Sequence, residues 1–242
     1  MTRLKTYLKN NLLPLKSLET KEKFLILSLI SLAVLILIAS LIMFLDFQKE
    51  NTLLQKRIME IDWKLSDYLF HRQNPTGVGL FLIITMFGEW ITANFIALLF
   101  SGLLWIKKKR NLIVPLWIAI IGCEVFTLAG KFIIERLRPD NSIYQEHFSS
   151  FPSGHSAMAI VLYGFMIYAI FKINKKRKLN FALLPLAIII IIAVGFSRLY
   201  LNVHFLSDVA GGYLLGALWL IIAIGIAEIN SYSLFQKIRN SL

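Results

Sequence analysis

Apolar residues in this chain are gathered into six long stretches, roughly 24–45, 80–106, 112–134, 156–171, 181–196 and 205–227, with polar and basic residues between them. A helix that crosses a bilayer needs about 20 predominantly apolar residues, with a range of about 17–25. The pattern therefore predicts six spans. The fourth and fifth are short, so their ends are expected to reach into the flanking connections. Polar groups there are tolerated when buried among helices. The first stretch is longer than the roughly 7–15 apolar residues of a signal peptide. Asp46-Phe47-Gln48, which follows it, is no small-residue cleavage site. It reads as an uncleaved signal anchor. The predicted architecture is all-α: a six-transmembrane-helix bundle over 24–242 as one domain, preceded by a basic cytoplasmic tail at 1–23.

The connection at about 47–77 has a pattern of its own. Leu54, Ile58, Ile61, Leu65, Tyr68 and Leu69 recur at helical spacing, with Lys56, Glu60, Lys64 and Asp67 between them. With Trp63, this predicts an amphipathic helix at the membrane surface. It either packs over the bundle or gates lipid access, and both roles are compatible.

Composition agrees with lipid as the solvent. Of the 242 residues 57% are hydrophobic and 17% are charged, against about 25% charged in ordinary soluble domains. The formal net charge of +12 raises nucleic acid as a partner, but no soluble basic domain remains once the spans are set aside. The basic residues instead cluster at span ends. Arg3, Lys5, Lys9, Lys16, Lys21 and Lys23 precede the first span; Lys107-Lys108-Lys109-Arg110 fill the second connection. Lys172, Lys175, Lys176, Arg177 and Lys178 fill the fourth, and Lys237 and Arg239 follow the last span. Threading six spans puts all four groups on one side, which the positive-inside rule makes cytoplasmic. The first, third and fifth connections then face outward, although the first carries scattered Lys49, Lys56, Arg57, Lys64 and Arg72. The single cysteine, Cys123, lies inside an apolar run and reads as a small buried residue.

Three polar clusters fall on the outward side. They are Lys131-Phe-Ile-Ile-Glu135-Arg136-Leu-Arg138-Pro139, Phe151-Pro152-Ser153-Gly154-His155-Ser156, and Ser197-Arg198 through His204 to Asp208. Ionisable residues are costly at a membrane boundary, so their clustering points to function. A phosphate monoester carries about −1.5 to −2 charges near neutral pH. Its transfer depends on positioning and on charge stabilisation. The clusters hold what that chemistry requires. Lys131 and Arg138 are seven apart, so a continuous helix would put them on one face; Pro139 helps end it at Arg138, which is expected in a turn aimed across the mouth of the bundle. Arg198 adds a third cation. Gly154 permits close backbone approach, and the start of the helix after Ser153 supplies N–H donors to an anion. His204 and Asp208 are four apart, which on a helix shares a face. The carboxylate would fix the imidazole tautomer and leave the other nitrogen to attack phosphorus. His155 remains to protonate the leaving alkoxide.

These residues give the chain its resemblance to the type-2 phosphatidic acid phosphatase family, with a bacterial six-span lipid phosphatase as the nearest shape. The family pattern KxxxxxxRP, PSGH, SRxxxxxHxxxD is met by KFIIERLRP, PSGH and SRLYLNVHFLSD. The resemblance implies His204 as a nucleophile that forms a phosphohistidine, Asp208 as its orienter and His155 as general acid. Lys131, Arg138, Ser153, Gly154 and Arg198 would bind phosphate. It implies catalysis without metal or cofactor. Substrates of the family are phosphatidic acid, phosphatidylglycerol phosphate or undecaprenyl pyrophosphate. The expected partners are a phosphorylated lipid and membrane lipids, with no nucleic acid and no obligate protein partner. The expected place is a bacterial plasma membrane, with both termini cytoplasmic and the site outside. Two other readings use the same site: a lipid-phosphate transporter or binding protein, and a phosphotransferase with an acceptor other than water.

Other residues are weighed without a role. Glu89 and Glu124 lie within spans; Glu89, toward the outer half of its span, is a candidate partner for a site cation, and the alternative for either is a protonated carboxyl or a hydrogen bond to a neighbouring helix. Glu135 and Arg136 sit off the signature positions and suit a local ion pair. His71 and His147 lie in outer connections, and 140–150 joins two motifs and is expected to help choose the headgroup.

Overall fold

A computed structural model of the chain describes residues 27–38, 40, 52–144, 148–174 and 177–239. The basic tail at 1–23, residues 24–26, 39 and 41–45 of the first predicted span, and His147 lie outside the described residues. Every regular element among the described residues is a helix. They are α1 (Leu27–Ile38), α2 (Leu53–Phe70), α3 (Pro75–Thr85), α4 (Trp90–Ile106), α5 (Ile113–Ile134), α6 (Gly154–Ile173), α7 (Arg177–Tyr200) and α8 (Leu206–Arg239). Segments Arg110–Ile134, Gly154–Ile173, Asn180–Tyr200 and Leu206–Ser231 are each long and apolar enough to cross a bilayer. The fourth and fifth spans do extend beyond their apolar stretches, as their shortness required.

The second predicted span is broken. α3 and α4 meet at a bend of 51°, across a 3-10 turn at Met86–Gly88. Gly88 allows the break because a side chain there would overlap Val194 and the backbone carbonyl of His155. The carbonyl of Phe87 accepts a hydrogen bond from the Tyr163 hydroxyl at 2.9 Å. A polar group freed in apolar surroundings is thus satisfied. Counting this pair as one span gives five crossings; the described part of 24–45 contributes the shorter apolar helix α1.

α6 is the central element. It packs on α8, α7, α5 and α4, and Ala157, Ala159, Val161, Leu162, Phe165 and Ala169 are fully buried. Its approach to α8 is set by glycine. A Cβ on Gly212 would overlap the carbonyl oxygen of Ser153, and one on Gly216 would overlap that of Ala157. Small residues four apart let two membrane helices bring their backbones together. At that crossing the start of α6 lies against the first turns of α8.

The amphipathic helix is present as α2, with Thr52 accepting the Gln55 N–H at 3.0 Å as its N-cap. Its faces differ from the expected division. Asp62, Ser66 and Leu69 are buried, whereas Leu54, Ile61 and Tyr68 are about half exposed. The apolar positions thus split between two sides, and a polar seam docks on the bundle. In lipid a helix need not hide its apolar face, and the groups that require protein partners are the polar ones.

Candidate active site

The three polar clusters and α2 meet at one end of the bundle. α5 stops at Ile134, and Glu135 takes a left-handed conformation with φ 47° and ψ 33°. The helix therefore ends four residues before Arg138, not at it. Lys131 and Arg138 still converge, through a chain reversal instead of a shared helical face. The Lys131 ammonium donates to the carbonyl of Ser149 at 2.6 Å. The Arg138 guanidinium reaches the same oxygen at 3.3 Å. It also donates to the carbonyls of Phe148 at 3.0 Å and Val203 at 2.6 Å. These carbonyls fix the plane of the guanidinium.

His204 lies in the turn between α7 and α8, before the helix begins, so the shared face expected for His204 and Asp208 is not what joins them. The turn through Asn202, at φ 56°, brings them together. Nδ1 of His204 is 3.5 Å from Oδ2 of Asp208, and both side chains are almost fully buried. On the other side of the ring, Nε2 is 3.3 Å from Nη1 of Arg138. A guanidinium has donors only. Nε2 is therefore the acceptor in this contact, which assigns the neutral ring's proton to Nδ1, facing the carboxylate.

Asp208 is held on every side. Oδ2 accepts the Phe205 N–H at 2.8 Å and the Ser150 hydroxyl. Oδ1 accepts from Arg136 at 2.5 Å. The bond to Phe205 is half of a capping box, an acid at the third helical position reaching back to the N-cap N–H. Asp208 also accepts the Ser153 N–H on its backbone carbonyl at 3.0 Å. Asp208, which faces His204, and the PSGH turn are thus one hydrogen-bonded unit.

Ser153 is the N-cap residue of α6. Its hydroxyl lies 3.0 Å from that of Ser156. Gly154 opens the helix, whose first N–H groups have no intrahelical partner and favour an anion. His155 follows. Its imidazole is within electrostatic reach of Arg198, His204, Lys131 and Arg138. Arg198, fully buried on the last turn of α7, donates to the Thr85 hydroxyl at 2.9 Å and the Tyr144 hydroxyl at 2.6 Å. All eight expected site residues therefore gather at this end of the bundle.

Arg136 was expected to form a local ion pair; its partners are distant in sequence. It bridges Asp208 and Asp62 of α2, the second at 2.7 Å. It also donates to the Ser207 hydroxyl at 2.6 Å and stacks 4.6 Å from the centre of the Phe205 ring. Asp62 carried a signal that the sequence reading passed over. A carboxylate stood between Ile58, Leu65 and Leu69 on one helical face, where only a buried partner makes it tolerable. Glu124 is hydrogen-bonded to a neighbouring helix, accepting from Asn94 at 2.6 Å. Glu89 stands at the break before α4 and forms no ion pair among the described residues.

The family model described as the PAP2 superfamily matches residues 111–231, which hold all three clusters. Phosphatidylglycerophosphatase B of Bacillus subtilis is 40% identical over 100 residues, covering 39% of this chain. That match spans 48% of the relative, about half its length. The undecaprenyl-diphosphatase of Sulfolobus acidocaldarius is 28% identical over 190 residues, 74% of this chain and 82% of that one. The crystal structure of a transmembrane PAP2-type phosphatidylglycerolphosphate phosphatase from Bacillus subtilis superposes with a TM-score of 0.72 at 26% identity. It covers 80% of this chain and 94% of that one. The fold is also shared with Aquifex aeolicus LpxE, at a TM-score of 0.55, 23% identity and coverage of 67% and 94%. With the matched region holding every signature residue, this multi-pass membrane protein belongs to the PAP2 superfamily.

Proposed function

We propose that this chain is a lipid phosphatase that cleaves a phosphomonoester or pyrophosphate headgroup through a phosphohistidine on His204, without metal. The observation that carries the reading is the double contact of His204. Asp208 faces Nδ1 at 3.5 Å, and a phosphate-binding cation, Arg138, stands 3.3 Å from Nε2. A phosphoryl group that takes over the Arg138 N–H from Nε2 arrives beside the lone pair so freed. Lys131, Arg138, Arg198 and the N–H groups at Gly154 offset the charge on its oxygens.

The reaction runs in two displacements. Nε2 attacks phosphorus, the bond from phosphorus to the lipid oxygen breaks, and protonated His155 gives its proton to the leaving oxygen. Water then attacks the phosphohistidine, the P–N bond breaks, and His155 takes the water proton as phosphate leaves. Asp208 stabilises the charge that appears on His204 when its nitrogen is phosphorylated. The relatives named phosphatidylglycerophosphatase B and undecaprenyl-diphosphatase make phosphatidylglycerol phosphate and undecaprenyl pyrophosphate the first candidates, with phosphatidic acid third. Lys107, Lys108, Lys109, Arg110 and Lys172 lie at or just after the C-terminal ends of α4 and α6, opposite the site. By the positive-inside rule the site then faces away from the cytoplasm.

The test is phosphate release by the purified protein in detergent from the three lipids in parallel, with a chelator present. The expected result is release from at least one of them and trapping of an acid-labile phosphate on His204. Loss of all activity on chelation would remove the metal-free mechanism. A folded protein that binds these lipids and releases nothing would be a carrier instead. Phosphate appearing on an added alcohol, not in water, would make it a transferase.

A further inference from the structure

Arg136 is off the signature positions of the first motif and Asp62 lies outside all three, yet they join the outer helix to the carboxylate behind His204. One guanidinium nitrogen of Arg136 donates to Asp208 Oδ1 at 2.5 Å, and the other donates to Asp62 Oδ2 at 2.7 Å. Asp62 accepts twice more from the first turn of α8: the Ser207 N–H at 3.0 Å and the Ser207 hydroxyl at 2.5 Å. Asp62 is 2% exposed, Asp208 0% and the Arg136 side chain 12%. Interactions between charges this dry are weakly screened. α2 has two more attachments beside the site. The Ser66 hydroxyl donates to Asn202 Oδ1 at 2.6 Å, and Trp63 packs edge-on against the Phe205 ring at 5.2 Å. The turn carrying His204, residues 202–207, is thus clamped by one face of α2.

We propose that Asp62 and Arg136 are positioning residues for the nucleophile, coupling the docking of α2 to the placement and charge of Asp208. The inference rests on the phosphatase reading above and deepens it. Asp208 orients His204 as an anion. A lone arginine on it would draw that charge away from the imidazole. Asp62 shares the guanidinium and leaves the carboxylate effective toward Nδ1. α2 is then part of the catalytic assembly, and displacing it changes the electrostatics of His204 as well as covering the site.

A role confined to packing and a role through charge make different forecasts for pH dependence. The charged and titratable groups around His204 come from every neighbouring element. They are Asp62 on α2, Lys131 on α5, Arg136 and Arg138 after it, His155 on α6, Arg198 on α7 and Asp208 on α8. Asp62→Asn removes one negative charge from this set with little change in shape. The field at His204 becomes more positive, and its protonated form is disfavoured. Neutral nucleophile then persists to lower pH, so the acidic limb of kcat/KM moves down. Arg136→Gln removes a positive charge, and the same limb moves up. Each shift is expected to be about half a unit or more, because a charge at this range moves a titration by that order. kcat is expected to fall about tenfold or more in each variant with KM within about threefold, the mark of an interaction that serves the reacting state.

The experiment is the pH profile of phosphate release by wild type, Asp62→Asn and Arg136→Gln in detergent. The lipid's own ionisation is common to all three. Opposite displacements of the acidic limb support the inference. Displacements in the same direction, or unmoved limbs in an active wild type, overturn it while leaving the phosphatase reading intact. If Arg136→Gln does not fold, the direction of the Asp62→Asn shift decides alone. A wild type inactive on every lipid removes the reading and this inference with it.

Discussion

His204→Ala is expected to abolish phosphate release from every lipid the parent hydrolyses, by at least about 10⁴-fold, while the protein keeps its fold and its affinity for phosphate. The size follows from the role proposed for His204: a deleted nucleophile leaves only binding and charge stabilisation, and residual rates in such systems fall by about four to six orders of magnitude. The retained binding follows from the geometry. Arg138 is held by the carbonyls of Phe148, Ser149 and Val203, and Lys131 by that of Ser149. Neither cation needs the imidazole to keep its place. Inorganic phosphate should therefore raise the melting temperature of His204→Ala about as much as that of the parent, and raise that of Arg138→Ala far less. Residual activity within tenfold of the parent would exclude His204 as the nucleophile. Loss of the phosphate-induced stabilisation in His204→Ala would show that the ring itself builds the anion site.

Much of this arrangement was legible in the residues, and the parts that were not share a physical cause. The spans were legible because apolar length is a local property. Residues 112–134, 156–171, 181–196 and 205–227 each correspond to an apolar helical span with ends shifted by a few positions. The signature residues were legible because polar groups at a membrane boundary stand out against their surroundings. What failed was the geometry assigned between them. Lys131 and Arg138 were placed on one helical face, yet Glu135 ends the helix, and a shared carbonyl brings the two cations together. His204 and Asp208 were placed on another, yet the turn at Asn202 does the work. Spacing in sequence constrains contact only while the chain stays regular, and active sites gather where it does not. The break at Met86–Gly88 was hidden for the same reason. At the break, Gly88 packs against Val194 and the backbone of His155, both far along the chain. Arg136 was undervalued because its partner Asp62 is 74 residues away, on a helix whose apolar stripe drew more notice than its one misplaced carboxylate.

Gly212→Ala is expected to be the most damaging substitution outside the polar clusters, with kcat lowered about 100-fold and a lower melting temperature in detergent. A methyl group there meets the carbonyl oxygen of Ser153 and, at 3.1 Å, Cβ of Ser156. The obstacle is backbone, so no side chain can rotate out of its way. α8 must move from α6, and forcing atoms into such a contact costs typically about 1–3 kcal/mol. The greater cost is functional. The helices that would separate are the two that carry the opposite halves of the site: His155 at the start of α6, and Asp208, with His204 just before it, at the start of α8. The Ser153 N–H bond to the Asp208 carbonyl spans this crossing. A displacement of about 1 Å between reacting groups is enough to cost about 100-fold. Gly225→Ala supplies the comparison within the same helix. A Cβ there meets nothing within 4 Å, and exchanging glycine for alanine in a helix favours the folded state by up to about 1 kcal/mol. It should leave activity unchanged and stability equal or higher. Equal behaviour of the two variants would mean that α6 and α8 are not in backbone contact at Gly212. A stable Gly212→Ala protein with unchanged KM and a much lower kcat would locate the damage in the alignment of His204 with His155.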